Sequence, residues 1–154
     1  MAARDAFIDT SVLYALVDKR DGYHVAARDT VGTLLRSGRL LVTSDYVVAE
    51  TINLANARGG THVALRILDL LERSAGIRVE WIGPLRFDET RAFFRKHADH
   101  AYSFTDCSSF VVMRELRLTD ALTTDRHFRQ AGFQVLVGAA RNRFADLSAP
   151  GNDF

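Results

Sequence analysis

The chain has 154 residues, of which 47% are hydrophobic, and its 20 basic residues nearly balance its 19 acidic ones. This length suits one domain with a folded core, and the near-zero net charge excludes a general attraction to nucleic acids or membranes. The single cysteine excludes an internal disulfide and a cysteine-cluster zinc site.

The N-terminal residues lack the pattern of a signal peptide, and no apolar stretch is long enough to cross a bilayer. We therefore expect a cytoplasmic protein. Residues 1–147 are predicted to form one domain, and residues 148–154 are predicted to be a flexible C-terminal tail.

Short apolar segments alternate along the chain with longer amphipathic ones. Five apolar segments have the length and composition of strands, and they cover residues 6–8, 40–43, 78–82, 121–124 and 134–137. Helical periodicity begins near Val12 and is found again at residues 23–37, 46–57, 62–73, 85–97, 106–117 and 126–131. This order predicts a mainly parallel sheet that is covered by helices on both faces.

Four acidic residues occupy positions at which such a sheet binds ligands, outside the carboxyl ends of its strands. Asp9 follows the first strand and Asp125 follows the fourth. Asp106 begins a helix expected at the same edge, and Glu50 lies on a helix that starts near that edge. Apolar residues flank Glu50, so we expect a wide buried face on its helix and an acid that needs a partner or a cation.

Each acid also has a structural explanation when it is taken alone. Asp9 and Asp125 could be helix N-caps, Ser103 and Asp106 match a capping box, and Glu50 could be a solvated helix residue. Taken together, however, four converging carboxylates would repel one another strongly, and a divalent cation would relieve that repulsion. Oxygen ligands of this kind suit Mg²⁺ or Mn²⁺ and not Zn²⁺, and such ions serve phosphodiester hydrolysis.

Four motifs in the chain resemble those of the PIN-domain ribonucleases, especially the VapC-type toxins of bacterial toxin–antitoxin pairs. These motifs, in the family's order, are Phe7–Ser11, Thr43–Thr51, Ser103–Ser109 and Leu122–Phe128. The resemblance implies a three-layer α/β/α sandwich and a Mg²⁺-dependent or Mn²⁺-dependent endoribonuclease. It also implies that Asp9, Glu50, Asp106 and Asp125 are the catalytic metal ligands, and that the partners are RNA, an antitoxin protein and a second copy of the chain.

Further polar residues stand beside the four acids in the sequence. Hydroxyl groups that could hydrogen-bond the carboxylates belong to Thr10, Ser11 and Thr105. Basic side chains that could contact RNA phosphates belong to Arg126, His127 and Arg129. Helix capping or a solvated helix surface explains either group equally well. No histidine pair and no lysine is expected among the acids, so we expect activated water to attack the RNA.

Other functions remain open at this point. The protein could be a PIN-like RNA-processing nuclease without a toxin role, or a non-catalytic partner-binding α/β domain if the acids do not converge. A haloacid-dehalogenase-type phosphatase needs a second acid two residues after the first, where this chain has Ser11. A receiver domain needs a lysine late in the chain, but the last one is Lys96.

Overall fold

The computed structural model describes residues 5–137, and these residues form a five-stranded, wholly parallel sheet packed against seven helices. The strands are β1 (Ala6–Ile8), β2 (Leu41–Ser44), β3 (Ile77–Glu80), β4 (Asp120–Leu122) and β5 (Gln134–Val135). The helices are α1 (Thr10–Val17), α2 (His24–Arg36), α3 (Asp45–Gly59), α4 (Thr61–Arg73), α5 (Gly83–Lys96), α6 (Phe104–Glu115) and α7 (Arg126–Gln130). The predicted tail at residues 148–154 lies outside the described residues.

The predicted order of strands and helices is confirmed, and the differences are confined to element ends. Helix α3 begins at Asp45, directly after β2, because the Ser44 hydroxyl accepts a hydrogen bond from the backbone nitrogen of Val47 at 3.2 Å. The third strand is shorter than predicted, since the nitrogen of Ile82 bonds to the Asp45 carboxylate and not to a neighbouring strand.

The strand order in the sheet is β3-β2-β1-β4-β5. The chain runs outward from β1 to β3, crosses back to β4 and then continues outward to β5. Because crossovers between parallel strands are right-handed, this reversal places α1–α4 on one face and α5–α7 on the other. The reversal also makes the boundary between β1 and β4 the switch point at which parallel α/β sheets bind ligands.

The two strands at this switch point are paired in a defined register. Ile8 lies opposite Leu122, and the backbone nitrogen of Asp9 donates to the carbonyl of Leu122 at 3.0 Å. Asp9 and Thr123 therefore leave the sheet side by side. This register determines which side chains meet at the carboxyl edge.

A buried aromatic group anchors the helices α6 and α7 to the sheet. The ring of Phe128 lies 6.2 Å from that of Phe7 and 5.0 Å from that of Phe110, measured between centroids. Every residue of α6 from Asp106 to Met113 is buried, so this helix is held rigidly at its acidic end. Within the described residues, no helix is both long enough and apolar enough to cross a membrane.

The expectation of a wide buried face on α3 is wrong. Only a narrow stripe of this helix is buried, namely Val47, Thr51 and Ala55. Glu50 lies outside the stripe and is exposed at the carboxyl edge of the sheet. The prediction failed because the other apolar residues of the helix, namely Tyr46, Val48, Ile52 and Leu54, are only partly buried.

Candidate metal centre

A cleft of about 360 Å³ opens at the carboxyl edge of the sheet, and the four predicted acids all line it. Asp9 stands between β1 and α1, and Glu50 lies in the second turn of α3. Asp106 belongs to the first turn of α6, and Asp125 directly precedes α7. Four separate elements thus bring these carboxylates to the same cleft.

Asp9 is the most deeply buried of the four acids, with 6% of its surface exposed. Its backbone occupies the N-cap position of α1, but its side chain makes no capping hydrogen bond. Instead, Oδ2 accepts a hydrogen bond from the Thr123 hydroxyl at 2.9 Å. Burial raises the pKa of Asp9 to about 7, and the carboxylates of Asp106 and Asp125 add to the rise. Helix capping therefore does not explain this residue.

Asp106 caps its own helix and faces the cleft at the same time. Its backbone nitrogen donates to the Ser103 hydroxyl at 2.9 Å, and its Oδ2 accepts from the Ser103 nitrogen at 3.0 Å, which completes the expected capping box. Asp125 behaves alike, since its Oδ1 accepts from the backbone nitrogen of His127 at 2.9 Å. Capping and a place in the cleft are compatible for both residues.

Glu50 faces the other carboxylates from α3. Although the residue as a whole is exposed, partial desolvation of its carboxyl group by the surrounding cleft raises its pKa. The negative charges of Asp106 and Asp125 raise this pKa further, while the Thr105 hydroxyl opposes the rise. The Thr10 hydroxyl is also near the Glu50 carboxylate and opposes the rise in its pKa, although the two groups do not have the geometry of a hydrogen bond. The predicted Thr10 and Thr105 side chains thus both face this acid.

Thr123 connects two of the acids, a role that was not evident from the sequence. Its fully buried hydroxyl donates to Asp9 and accepts from the backbone nitrogen of Asp125 at 2.9 Å. The Ser11 hydroxyl lies 3.3 Å from the Thr123 hydroxyl and accepts from the nitrogen of Thr124 at 3.0 Å. These hydroxyl groups join the ends of β1 and β4. Only the register of the two strands reveals the role of Thr123.

His127 lies between two of the acids, whereas from the sequence it was expected only to contact RNA phosphates. Its Nδ1 is 3.1 Å from Asp106 Oδ2 and 3.3 Å from Asp125 Oδ1. One ligand atom from each of the three residues lies within 4.8 Å of the other two. The Tyr102 ring and the imidazole pack nearly perpendicular to each other, with centroids 5.5 Å apart. The available signal was the spacing of Asp125 and His127 at the start of a helix.

The basic residues near the cleft fall into two groups. The predicted Arg126 and Arg129 are exposed and line an adjoining pocket, which shares Tyr23, Thr124 and Asp125 with the acid cleft. Arg58, which was not predicted from the sequence, lines the acid cleft itself. Positive charge is therefore present inside the cleft and beside it.

The donor set of the cleft suits a hard divalent cation. Carboxylate oxygens predominate, and one imidazole nitrogen is within reach. The Thr10 hydroxyl oxygen is buried and has no hydrogen-bond partner among the described residues, which is unusual for a buried polar atom. A raised carboxylate pKa next to an unpartnered hydroxyl fits a site that is completed by a metal ion and its water ligands.

The chain matches the PIN domain family over residues 6–134. It is 32% identical over 127 residues to the 23S rRNA-specific endonuclease VapC20 of Mycobacterium tuberculosis, which covers 82% of this chain and 94% of that protein. It is 30% identical over 122 residues to the ribonuclease VapC26 of the same organism, which covers 79% of this chain and 87% of that protein.

Solved structures agree with this assignment. The crystal structure of Mycobacterium tuberculosis VapC20, described as a sarcin–ricin loop cleaving toxin, superposes with a TM-score of 0.73 at 30% identity, covering 85% of this chain and 96% of that one. VapBC2 from Rickettsia felis shares the fold at 10% identity, with a TM-score of 0.64 and coverage of 87% and 98%. The family match, the curated relatives and the shared fold together establish that this chain belongs to the PIN domain family.

Proposed function

We propose that this protein is an endoribonuclease that uses Mg²⁺ or Mn²⁺ to hydrolyse RNA phosphodiester bonds. The observation that carries the proposal is that four carboxylates from four elements line one cleft at the switch point of the sheet. Two ribonucleases that are at least 30% identical to this chain over about four-fifths of its length support it. A purely partner-binding domain would not need an acid with a pKa near 7 at this edge.

The proposed roles follow from the position of each acid. Asp9, Glu50 and Asp106 would hold the main metal ion, and Asp125 would complete a second or weaker site. A bound divalent cation would lower the pKa of water and stabilise the negative charge that develops on the phosphate. The chain itself positions the ligands, since Thr123 orients Asp9 through a 2.9 Å hydrogen bond.

The neighbouring polar residues have supporting roles in this proposal. Ser11 braces the loop that carries Asp125, and the Thr10 and Thr105 hydroxyls face Glu50. Arg126 and Arg129 would contact RNA phosphates from the adjoining pocket, because guanidinium groups bind phosphate in a bidentate manner.

The expected reaction is attack of water on the phosphorus, with loss of the 3′-oxygen. Within residues 5–137, the lining of the cleft includes no lysine, and the single imidazole beside it is engaged by two carboxylates. The cleft therefore offers neither a histidine pair nor a lysine, the groups that usually transfer protons when the RNA 2′-hydroxyl is the nucleophile. The products should carry 3′-hydroxyl and 5′-phosphate ends.

The test uses a hairpin RNA with the sarcin–ricin loop sequence, alongside total ribosomal RNA, in Mn²⁺ or in EDTA. We expect cleavage that EDTA and Asp9→Asn abolish, and continued cleavage when the nucleotide at the cut site is 2′-deoxy. A 2′,3′-cyclic phosphate product, or full cleavage by pure protein in EDTA, would contradict the mechanism. Failure to cut any RNA in Mn²⁺ would contradict the function.

We also propose that the nuclease is the toxin of a toxin–antitoxin pair in the cytoplasm, silenced by a small antitoxin protein. The support is its 30% identity over 85% of the chain to a structure described as a toxin. Induced expression should arrest bacterial growth, and co-expression of the protein encoded by the neighbouring gene should restore it. Expression without growth arrest would favour the RNA-processing alternative.

Exposed apolar side chains on and before α5 support the proposed homodimer. Trp81 and Leu85 are 72% and 80% exposed, and Phe87 and Phe94 are also partly exposed. Burying such side chains against a second copy is favourable because it removes apolar surface from water. Light scattering at tens of micromolar, roughly the range that detects weak dimers, should give twice the monomer mass. A monomer there would contradict this proposal.

A further inference from the structure

Arg58 places a positive charge in a cleft that is otherwise rich in carboxylates. Glu50, Leu54 and Arg58 follow one another at every fourth residue on α3, and all three line the cleft. Residues four apart share one face of a helix, so this face of α3 forms a wall of the cleft. Arg58 lies about 12 Å further along the helix axis than Glu50.

The guanidinium group of Arg58 is held by an aromatic ring and not by a carboxylate. Its Cζ lies 5.7 Å from the centroid of the Tyr14 ring, and Tyr14 is itself buried with its hydroxyl bonded to Asp18. In the part of the chain that the structure describes, Arg58 makes no ion pair, whereas Arg86 and Arg91 are both paired with acids. Its hydrogen-bond donors thus remain available to a ligand.

Neutralising the acids does not account for this arginine. The charges that act most strongly on Asp9 and on Glu50 are those of Asp106 and Asp125, and both are negative. The Arg58 guanidinium instead lies over Tyr14, one helical turn beyond Thr10 on α1. Its charge is therefore not among the strongest that act on Asp9 and Glu50.

We propose that Arg58 binds a backbone phosphate of the RNA strand, next to the phosphate that is cut, an inference that rests on the proposed nuclease function. RNA that approaches the carboxylates of the cleft needs nearby cations to offset the repulsion of its phosphates. Arg58 lines the same cleft as the acids, and Arg126 and Arg129 line the adjoining pocket. A strand that passes the acids therefore has one guanidinium group beside it in the cleft and two more in the adjoining pocket. Arg58 is a positioning residue in this arrangement, because it contacts the substrate away from the reacting atoms.

The first experiment measures binding of a fluorescein-labelled 12-nucleotide oligoadenylate by anisotropy at several salt concentrations. The cleavage-blocking Asp9→Asn change is present in every sample. Arg58→Met removes the charge and keeps a side chain that packs on Tyr14, and Arg66→Met is the matched control on the exposed face of α4. Arg58→Met should bind about tenfold more weakly at low salt. For Arg58→Met, the slope of log binding constant against log salt concentration should be smaller in magnitude by about 0.7, the value for one phosphate contact on a single strand.

Two further variants separate loss of charge from loss of structure. Arg58→Lys keeps the charge and should retain the salt dependence of the parent, although it loses bidentate contact. Arg58→Gln should behave like Arg58→Met, and it replaces that variant if Arg58→Met does not fold. If Arg58→Met and Arg58→Gln bind with the affinity and salt dependence of Arg66→Met, the assignment is overturned and Arg58 serves another ligand, such as a protein partner.

The second experiment locates the contact along the strand. Oligonucleotides with one uncharged methylphosphonate linkage are tested as substrates of the otherwise unmodified protein and of Arg58→Met. A methylphosphonate at one linkage adjacent to the cut should raise KM for the parent. It should leave KM unchanged for Arg58→Met, because that variant already lacks the contact between Arg58 and this phosphate. If the parent cuts RNA but no linkage shows this pattern, only the Arg58 assignment fails. If the parent neither binds nor cuts RNA, the proposed function fails with it.

Discussion

Replacing Asp9 by asparagine should stabilise the metal-free protein at neutral and alkaline pH, although the variant is inactive. The asparagine side chain would keep an oxygen that accepts the Thr123 hydrogen bond. The substitution would, however, remove a buried carboxylate whose pKa is raised from 3.8 to about 7 by burial and by neighbouring acids. The native fold disfavours the charged form of Asp9, so ionisation of this group opposes folding.

The size and pH range of the effect follow from that shift. Below pH 3.8 the carboxyl is protonated in both the folded and the unfolded state, and Asp9 carries no penalty. Between pH 4 and about 7 the unfolded chain ionises while the folded protein does not, and stability falls by about 1.4 kcal/mol per pH unit. Above pH 7 the loss of stability caused by Asp9 reaches its full value of up to about 4 kcal/mol. This loss corresponds to a decrease of roughly 10 °C in melting temperature for a protein of this size.

The assay is urea unfolding in EDTA at pH 5 and pH 8, with Asp69→Asn on the exposed face of α4 as the control. The free energy of unfolding of Asp9→Asn should be clearly higher than that of the parent at pH 8, and only slightly higher at pH 5. Asp69→Asn should have the same stability as the parent at both pH values. Adding Mn²⁺ at a hundredfold excess over its dissociation constant should stabilise the parent by about 2.7 kcal/mol and leave Asp9→Asn nearly unchanged. An equal difference between Asp9→Asn and the parent at both pH values would refute the reasoning.

Three further outcomes are expected. Thr123→Val should weaken Mn²⁺ binding in calorimetry by about 10- to 100-fold, because it removes the hydroxyl that orients the Asp9 carboxylate. The control is Thr43→Val on β2, which should leave Mn²⁺ binding unchanged. The buried Thr43 hydroxyl has no hydrogen-bond partner among the described residues. Asp106→Ala should lower the free energy of unfolding by about 1 kcal/mol, because it breaks the capping box with Ser103. The measurement is made at pH 5, to reduce the repulsion between carboxylates in the cleft. Unchanged stability would mean that the capping box contributes little. Cys107 should resist iodoacetamide at pH 8 until urea is added, since burial raises the pKa of its thiol to about 11. Rapid labelling of the native protein would contradict this prediction and show that the site opens.

Much of the fold could be predicted from the sequence because its signals are local. The period of the apolar residues changes between strands and helices, and this change alone predicts the alternation that produces a parallel sheet. The capping box at Ser103 and Asp106 is likewise a short-range pattern, and it is present in the structure. The prediction failed on α3, where apolar residues pack against neighbouring helices, so their number did not predict which face is buried.

The candidate site was only partly predictable, for a related reason. Asp9, Asp106 and Asp125 stand at element ends, and the general rule for parallel sheets points to such positions. Thr123 and His127 lie near acids in the chain, but each of them contacts an acid from a different part of the sequence. Those contacts depend on the pairing of β1 with β4 and on the packing of α7 beside α6.

By itself, the sequence determined the class of fold, the order of its elements and the presence of acids where strands end, since each depends on neighbouring residues or on their period. Only the tertiary structure decided which residues share the cleft. Arg58 is distant from Tyr14 in the sequence, yet the packing of α3 against α1 places it over that ring and in the cleft with the acids. The physical reason is that burial, proton affinity and contact between distant side chains arise only when separate elements pack, and no local pattern encodes them.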